Sequence, residues 1–305
     1  MTKLTKILSL ALVGSIALTS AISCSGSSGG SGSGGSSGLS GLGSITSMIS
    51  GGKGGGQKGG IEQYVEGASD LASSLTMGDK EEDELGQTVA VAATNRWPLF
   101  DKPELTKYVT LVGLTVALET SNPDGNWVFG VLDTPDLGAY SGPNGYIMVT
   151  RGAIAAMEDE SELAGVLAHE IAHVRNKDGF NLVKAAKLKQ GAMEVGSAAN
   201  ARVAAFAQAS NLLTDTVIGS GWSQDQETKA DAAAVKLLIA SGYDPNGLTR
   251  FLKRMEQRKG GSAKLFSTHP GTADRIAHIT AQIGAAKPGA TNKERFTKAA
   301  AEAKL

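Results

Sequence analysis

The chain has 305 residues, with 29 Lys and Arg against 30 Asp and Glu, a net charge of -1, and 41% hydrophobic residues. A single cysteine excludes a disulfide-stapled scaffold, and the balanced charge excludes a dedicated nucleic-acid binder, which would show a basic excess. Only 4 histidines are present, so a pair at metal-ligand spacing carries weight.

Residues 1–23 read as an export signal. Lys3 and Lys6 precede an uncharged, mostly apolar run from Ile7 to Ile22, short for a membrane-spanning helix and suited to a signal. Ser20-Ala21-Ile22-Ser23 leads into Cys24, the pattern of a bacterial lipobox, in which the thiol is lipidated and becomes the first residue. An ordinary secretory signal followed by a stray cysteine is the alternative. From Ser25 to Gly60, 27 of 36 residues are Gly or Ser. Residues 24–60 are therefore expected to form a flexible tether, spanning roughly 30–36 Å. No Lys-Ser or Lys-Thr follows these glycines at phosphate-loop spacing, which argues against a nucleotide site.

A folded domain is expected over 61–289, with a charged, solvated tail over 290–305 whose Lys/Glu/Ala pattern is compatible with a helix. Glu81 to Ala93 and Glu104 to Thr120 have helical periodicity. Trp127 to Leu132 and Tyr146 to Thr150 read as strands, each preceded by a Pro/Asn/Gly turn. Helical spacing resumes at Asp159, where Asp159 and Glu162 have the spacing of a capping box and Leu163, Val166, Leu167, Ile171 and Val174 form the apolar stripe. Further helices are expected from Gln224 to Ala240 and from Asn246 to Gln257. A few strands followed by several helices imply an α+β fold, mainly helical, with a small sheet beside the third helix.

That third helix carries His169-Glu170-Ile171-Ala172-His173. Residues at i and i+4 share a helix face, so both imidazoles can reach one ion, while Glu170 lies about 100° further round, positioned for a water. Such a site makes zinc the expected cofactor and Glu170 the expected general base. A catalytic zinc site needs a third protein ligand and one open position. Glu227 and Asp231 are i,i+4 neighbours on a later helix. One can ligate while the other hydrogen-bonds a ligand from behind. Ala164, Ala168 and Ala172 on the first helix and Ala230 and Ala234 on the second would let the two backbones approach closely.

The sequence from Glu81 to Ile283 resembles the gluzincin peptidases that include the CAAX prenyl proteases, the HtpX-type heat-shock proteases and the mitochondrial OMA-type proteases. It is most similar to their soluble, exported bacterial lipoprotein members. The segments that carry the likeness are Val131-Leu132-Asp133, Gly145 to Gly152, the His-Glu-Ile-Ala-His motif, Glu227-Thr228-Lys229-Ala230-Asp231, Ser241 to Pro245, and Ser267-Thr268-His269-Pro270 with Arg275. Gly138-Ala139-Tyr140 stands where that family usually has Asn-Ala-aromatic. The resemblance implies that His169, His173 and Glu227 bind one zinc ion, that Glu170 is the base and that Asp231 supports a ligand.

His269 has two open roles: donor to a tetrahedral oxyanion, or a ligand that swings onto the open zinc position and holds the enzyme latent. Arg275 is expected to be an ion-pair partner, and His278 a surface residue. The strand Tyr146, Ile147, Met148, Val149, if it is an exposed edge, can pair with an extended polypeptide in a sequence-tolerant way. The resulting expectation is a zinc metalloendopeptidase, anchored through Cys24 and facing the periplasm, acting on misfolded or misassembled envelope proteins. A non-catalytic chaperone or assembly factor for such proteins is the rival.

Overall fold

The computed structural model describes residues 78–191, 199–257, 269 and 272–305. The signal segment, Cys24, the Gly/Ser-rich stretch and residues 61–77 lie outside the described residues, as do Ser267, Thr268 and Pro270. The elements are helices α1 (Asp79–Arg96) and α2 (Pro103–Ala117), strands β1 (Val128–Leu132), β2 (Ala139–Gly142) and β3 (Tyr146–Thr150), then helices α3 (Arg151–Ala155), α4 (Glu160–Arg175), α5 (Asp178–Gly191) and α6 (Ala199–Asp215). A π-helical turn (Thr216–Ser220) follows, and then α7 (Gln224–Ala240), α8 (Gly247–Gln257), α9 (Thr272–Ile283) and α10 (Lys293–Ala303). The α+β expectation holds, with helices predominating.

The sheet has the order β1-β3-β2, with β3 parallel to β1 and antiparallel to β2. Its side chains alternate between two apolar layers. Phe129, Val131, Ala139, Ile147 and Val149 face the core shared with α2 and α4, whereas Leu132, Tyr140 and Met148 face Leu85, Val89 and Ala93 of α1. This topology corrects one expectation. Tyr146, Ile147, Met148 and Val149 lie on the central strand, whose main chain is paired on both sides, so they offer no free edge to a peptide. The strand that borders the sheet beside α4 is β2, a four-residue segment too short and too Gly-rich to show periodicity.

Helix α4 is the centre of the fold: every residue from Glu160 to His173 is buried. Asp159 caps it, its Oδ1 accepting from Glu162 N at 3.0 Å, while the Glu162 carboxylate reaches back to Glu158 N at 3.0 Å. Small residues on its flanks let neighbours come close. α4 and α7 pack together, and Ala164, Ala168 and Ala172 of the first and Ala230 and Ala234 of the second are all fully buried. At Gly165 and Gly247, a β-carbon would lie 2.7 Å from Leu248 N and 2.1 Å from Ser161 O, so the crossing of α4 and α8 requires glycine on both helices. Arg250 and Arg254 of α8 then pair with Asp159 and Glu162 at the start of α4.

Residues 290–305, expected as a solvated end that can be helical, do form a helix, α10, but it is docked through buried Phe296 and Ala303. Its anchor is Glu160, the first residue of α4 and fully buried. Tyr108 and Tyr243 donate to this carboxylate at 2.6 and 2.7 Å, Asn292 at 3.0 Å and Arg295 Nε at 2.6 Å. Burial by itself would push the Glu160 carboxyl up, but Arg295, Tyr108 and Tyr243 together hold it below the usual carboxylate range.

A folded-state value below the unfolded one gives stability that is present above about pH 4.3 and is lost as pH falls through the folded value. Glu160→Gln is therefore expected to flatten the acid limb of the stability–pH curve, read by urea unfolding between pH 3 and 7. Phe296→Ala should cost about 3 kcal/mol in the same assay, because it empties a buried aromatic site.

Candidate metal centre

Two helices and one loop residue bring His169, His173, Glu227 and His269 together. All four are buried, and one donor atom from each lies within 4.8 Å of every other. His169 and His173 come from successive turns of α4. Glu227 lies in the first turns of α7, whose start is set by a capping box in which Ser223 Oγ accepts from Gln226 N and Gln226 Oε1 accepts from Ser223 N at 3.1 Å. His269 enters from the segment between α8 and α9.

The separations suit a tetrahedral ion. With bonds of about 2.0–2.1 Å, donors around zinc lie about 3.3 Å apart. Here His169 Nε2 is 3.1 Å from His173 Nε2, and Glu227 is 3.4 Å from each of these nitrogens. His269 Nδ1 is 3.2 Å from His169 Nε2 and 2.7 Å from Glu227 Oε1.

What lies behind the donors fixes their orientation. His169 Nδ1 is 2.9 Å from Asp231 Oδ1, and His173 Nδ1 is 2.8 Å from Asp178 Oδ2. With each Nδ1–H donating to its carboxylate, both Nε2 lone pairs point at the same place, an arrangement that repels unless a cation sits between them. Gln226 Nε2 donates to the other oxygen of Asp178 at 3.3 Å. Arg275 binds Asp231 through Nε and Nη2 at 2.8 and 2.7 Å. Glu227 Oε2 is buried and takes no hydrogen bond, although the Arg275 guanidinium lies 3.0 Å away.

The electrostatics agree. Burial, then the charge of Arg275, would lower His169, yet Glu227 and Asp231 raise it to about 9. Burial would raise Asp231, but Arg275 and His169 hold it at about 2; burial would likewise raise Glu227, but the surrounding imidazoles drive it far below the carboxylate range. Four carboxylates, Glu170, Glu227, Asp231 and Asp178, face a single guanidinium. The donor set therefore fits a divalent cation.

Glu170 lies outside the donor set but beside it. Its Oε1 is 3.5 Å from His269 Nε2, and its Oε2 accepts from Ser141 Oγ at 2.7 Å. Trp222 stacks on His173 with centroids 5.3 Å apart, presented by the π-helical turn and by Gly221 at φ 84°. Sequence reasoning had brought out the donors and Asp231 but not Asp178, Ser141, Gln226 or Trp222. Of these, Asp178 had a signal. It follows His173 by five residues, just past the end of α4, where Lys177 adopts φ 57° and turns the chain back. The candidate strand residues Tyr146 to Val149 line none of this centre; Ser141 of β2 reaches it instead.

If Asp178 orients His173, Asp178→Ala should weaken zinc affinity about 10- to 100-fold, measured by competition with a chromogenic chelator, while Asp178→Asn should lose less.

Comparison with known proteins places this geometry. Residues 103–283 match the model of peptidase family M48. Relatives include the beta-barrel assembly-enhancing protease of Escherichia coli (strain K12), 24% identical over 226 residues that cover 71% of this chain and 46% of that protein. Metalloprotease LoiP of the same organism is 27% identical over 232 residues, covering 74% of this chain and 86% of that protein, and metalloprotease YcaL is 30% identical over 162 residues, covering 52% and 63%. The match to the first of these spans about half of its length. Among the described residues, no helix is long and apolar enough to cross a membrane. With a cluster that could hold a metal ion and a matched region that takes in α4, α7 and α9, the chain belongs to peptidase family M48.

Proposed function

We propose that the chain is a zinc-dependent endopeptidase that hydrolyses misfolded or misassembled proteins of the bacterial envelope, tethered through lipidated Cys24 to the outer membrane. The observation that carries the chemistry is the convergence of His169, His173 and Glu227 with Glu170 set beside them and held by Ser141. His169, His173 and Glu227 would hold the ion, one per site. When bound, zinc supplies Lewis acidity, polarising a carbonyl oxygen and making a water acidic near neutral pH. Glu170 is free to take the proton of the attacking water on its carboxylate and to return it to the leaving amine. Ser141 Oγ, donating to Glu170 Oε2, leaves Oε1 to face the substrate. Asp231 and Asp178 keep the imidazoles in the tautomer that ligates.

His269 supports the second of its two roles. Its Nδ1 stands among the other three donors, 3.2 Å from His169 Nε2, near the spacing of zinc ligands, and 2.7 Å from Glu227 Oε1, a hydrogen bond in the ion's place. In this reading it closes the site at rest and must swing away before substrate enters. The envelope substrate class draws on the export signal, the Cys24 context and the relatives' names. The chaperone alternative is disfavoured by the four-donor set and its carboxylate supports, which client holding does not require.

The deciding experiment is zinc analysis of the purified protein with casein digestion in the presence and absence of chelator. Cleavage is expected to vanish with chelator and return with zinc. Glu170→Gln should keep its zinc and lose casein hydrolysis by at least about a hundredfold, the scale of a missing general base; substantial cleavage by that variant would refute the assigned base. His269→Ala should raise casein cleavage severalfold, whereas an oxyanion donor would lower it by about a hundredfold or more.

A further inference from the structure

Helices α2 and α10 meet with too little side chain to fill the space between them. Phe296, Ala299 and Ala303 fall at i, i+3 and i+7 and so share a face of α10. On α2, Leu105, Tyr108 and Leu111 follow each other at three-residue steps. Two of the three residues that α10 offers are alanines, and a cavity of about 430 Å³ stays open there, its apolar lining made by Leu105, Tyr108, Leu111, Ala299 and Ala303. None of the metal donors lines it. Protein interiors are otherwise close-packed. Clefts that hold small ligands run from about 300 to 1,000 Å³ and are mostly apolar with a few polar groups.

The rim of this cavity carries an excess of positive charge. Lys102 and Lys107 stand on the α2 side, Arg295 and Lys298 on the α10 side, against two acids, Glu104 and Glu302. Each acid has a lysine of its own helix beside it, Lys107 at 3.9 Å from Glu104 and Lys298 at 4.0 Å from Glu302, in exposed pairs that cancel. Two cations are left over. Lys102 has no ion-pair partner among the described residues. Arg295 spends Nε and Nη2 on Glu160, which leaves Nη1 for another acceptor on a side chain that is 61% exposed. The cavity thus combines an apolar floor with unpaired positive charge at its mouth.

We propose that the cavity between α2 and α10 binds a free fatty-acid anion, its alkyl chain on the apolar floor and its carboxylate against Lys102 and Arg295. The size agrees. A cavity of about 150 Å³ takes benzene, so on the same scale this one takes roughly 17 heavy atoms, the size of a medium-chain carboxylate. An anionic bilayer is a poorer fit, because its capture takes clusters of about four to eight basic residues, not two unpaired ones. The site stands whether or not the chain is an endopeptidase. It also adjoins α4: Tyr108 and Arg295 belong both to the cavity and to the groups that hold Glu160, the first residue of the helix that carries His169 and His173. An occupant touching both fastens α10 to α2 where that helix begins.

The test is isothermal titration calorimetry of the full-length protein with laurate, beside dodecyltrimethylammonium, which has the same chain and the opposite charge. Laurate should bind saturably at one site with a Kd below about 1 mM, the affinity that a ligand of this size reaches at ordinary efficiency. The cation should bind at least about tenfold more weakly, the scale of a charge-assisted contact. Ala299→Trp, which fills the floor, and Lys102→Glu, which reverses an exposed charge, should each weaken laurate at least about tenfold. Circular dichroism shows whether Ala299→Trp has kept its fold, and Lys102→Glu decides the matter if it has not. Absence of saturable binding, equal binding of the cation, or laurate binding unchanged in the folded variants overturns the proposal. Capture by phosphatidylglycerol vesicles that Lys102→Glu weakens, with no laurate bound, assigns the cations to a membrane surface and overturns it as well.

Discussion

Burying α4 on every side is the constraint from which the rest follows. A helix with no solvent-facing surface cannot leave His169, Glu170, His173 or Glu160 to be hydrated, so each needs a partner of matching chemistry from another element. The partners arrive from five elements: Asp231 and Glu227 from α7, Asp178 from the start of α5, Ser141 from β2, Tyr108 from α2 and Arg295 from α10. The arrangement of the whole fold can be read as the set of elements needed to satisfy that one helix. It also explains why small residues crowd it, since partners with short side chains must reach atoms near its axis.

The same constraint produces a centre biased towards positive charge. Carboxylates behind the imidazoles set their tautomers, and the lone pairs that result are aimed at each other across about 3 Å. Arg275 supplies the compensating charge for Asp231 and approaches Glu227, but it is one guanidinium among four carboxylates. A divalent ion completes this balance in a way no residue does among the described ones. Burial raises the cost of an incomplete balance, which makes the geometry selective for a small, highly charged occupant.

Much of the centre was legible because its chemistry sits at helical spacings. His169 and His173 share a face by arithmetic alone, and Glu227 and Asp231 do so on a helix whose apolar side is clear. The residues that escaped are those placed by tertiary structure. Ser141 lies on a four-residue strand with no periodic signature, Trp222 is delivered by a π-helical turn, and Asp178, though close to His173 in sequence, is turned towards it by the left-handed Lys177. The strand order was unreadable for a related reason: β3 is apolar at successive positions because both of its faces are covered, a pattern shared by central and edge strands alike. The final helix was misjudged because its apolar contact amounts to little more than Phe296 and Ala303, with the remaining attachment made by Arg295 to a carboxylate far away in sequence.

That last attachment sets an order on biogenesis. Glu160 opens the helix that carries both histidines, yet two of the residues that neutralise and hydrogen-bond it, Asn292 and Arg295, are translated after every donor of the metal centre. As the chain is synthesised N-terminus first, the beginning of α4 holds an anion without its cationic partner until Arg295 emerges. The cost of enclosing such a charge, several kcal/mol, keeps that end of the helix from settling early. The metal centre thereby matures late, after the C-terminal helix has been made.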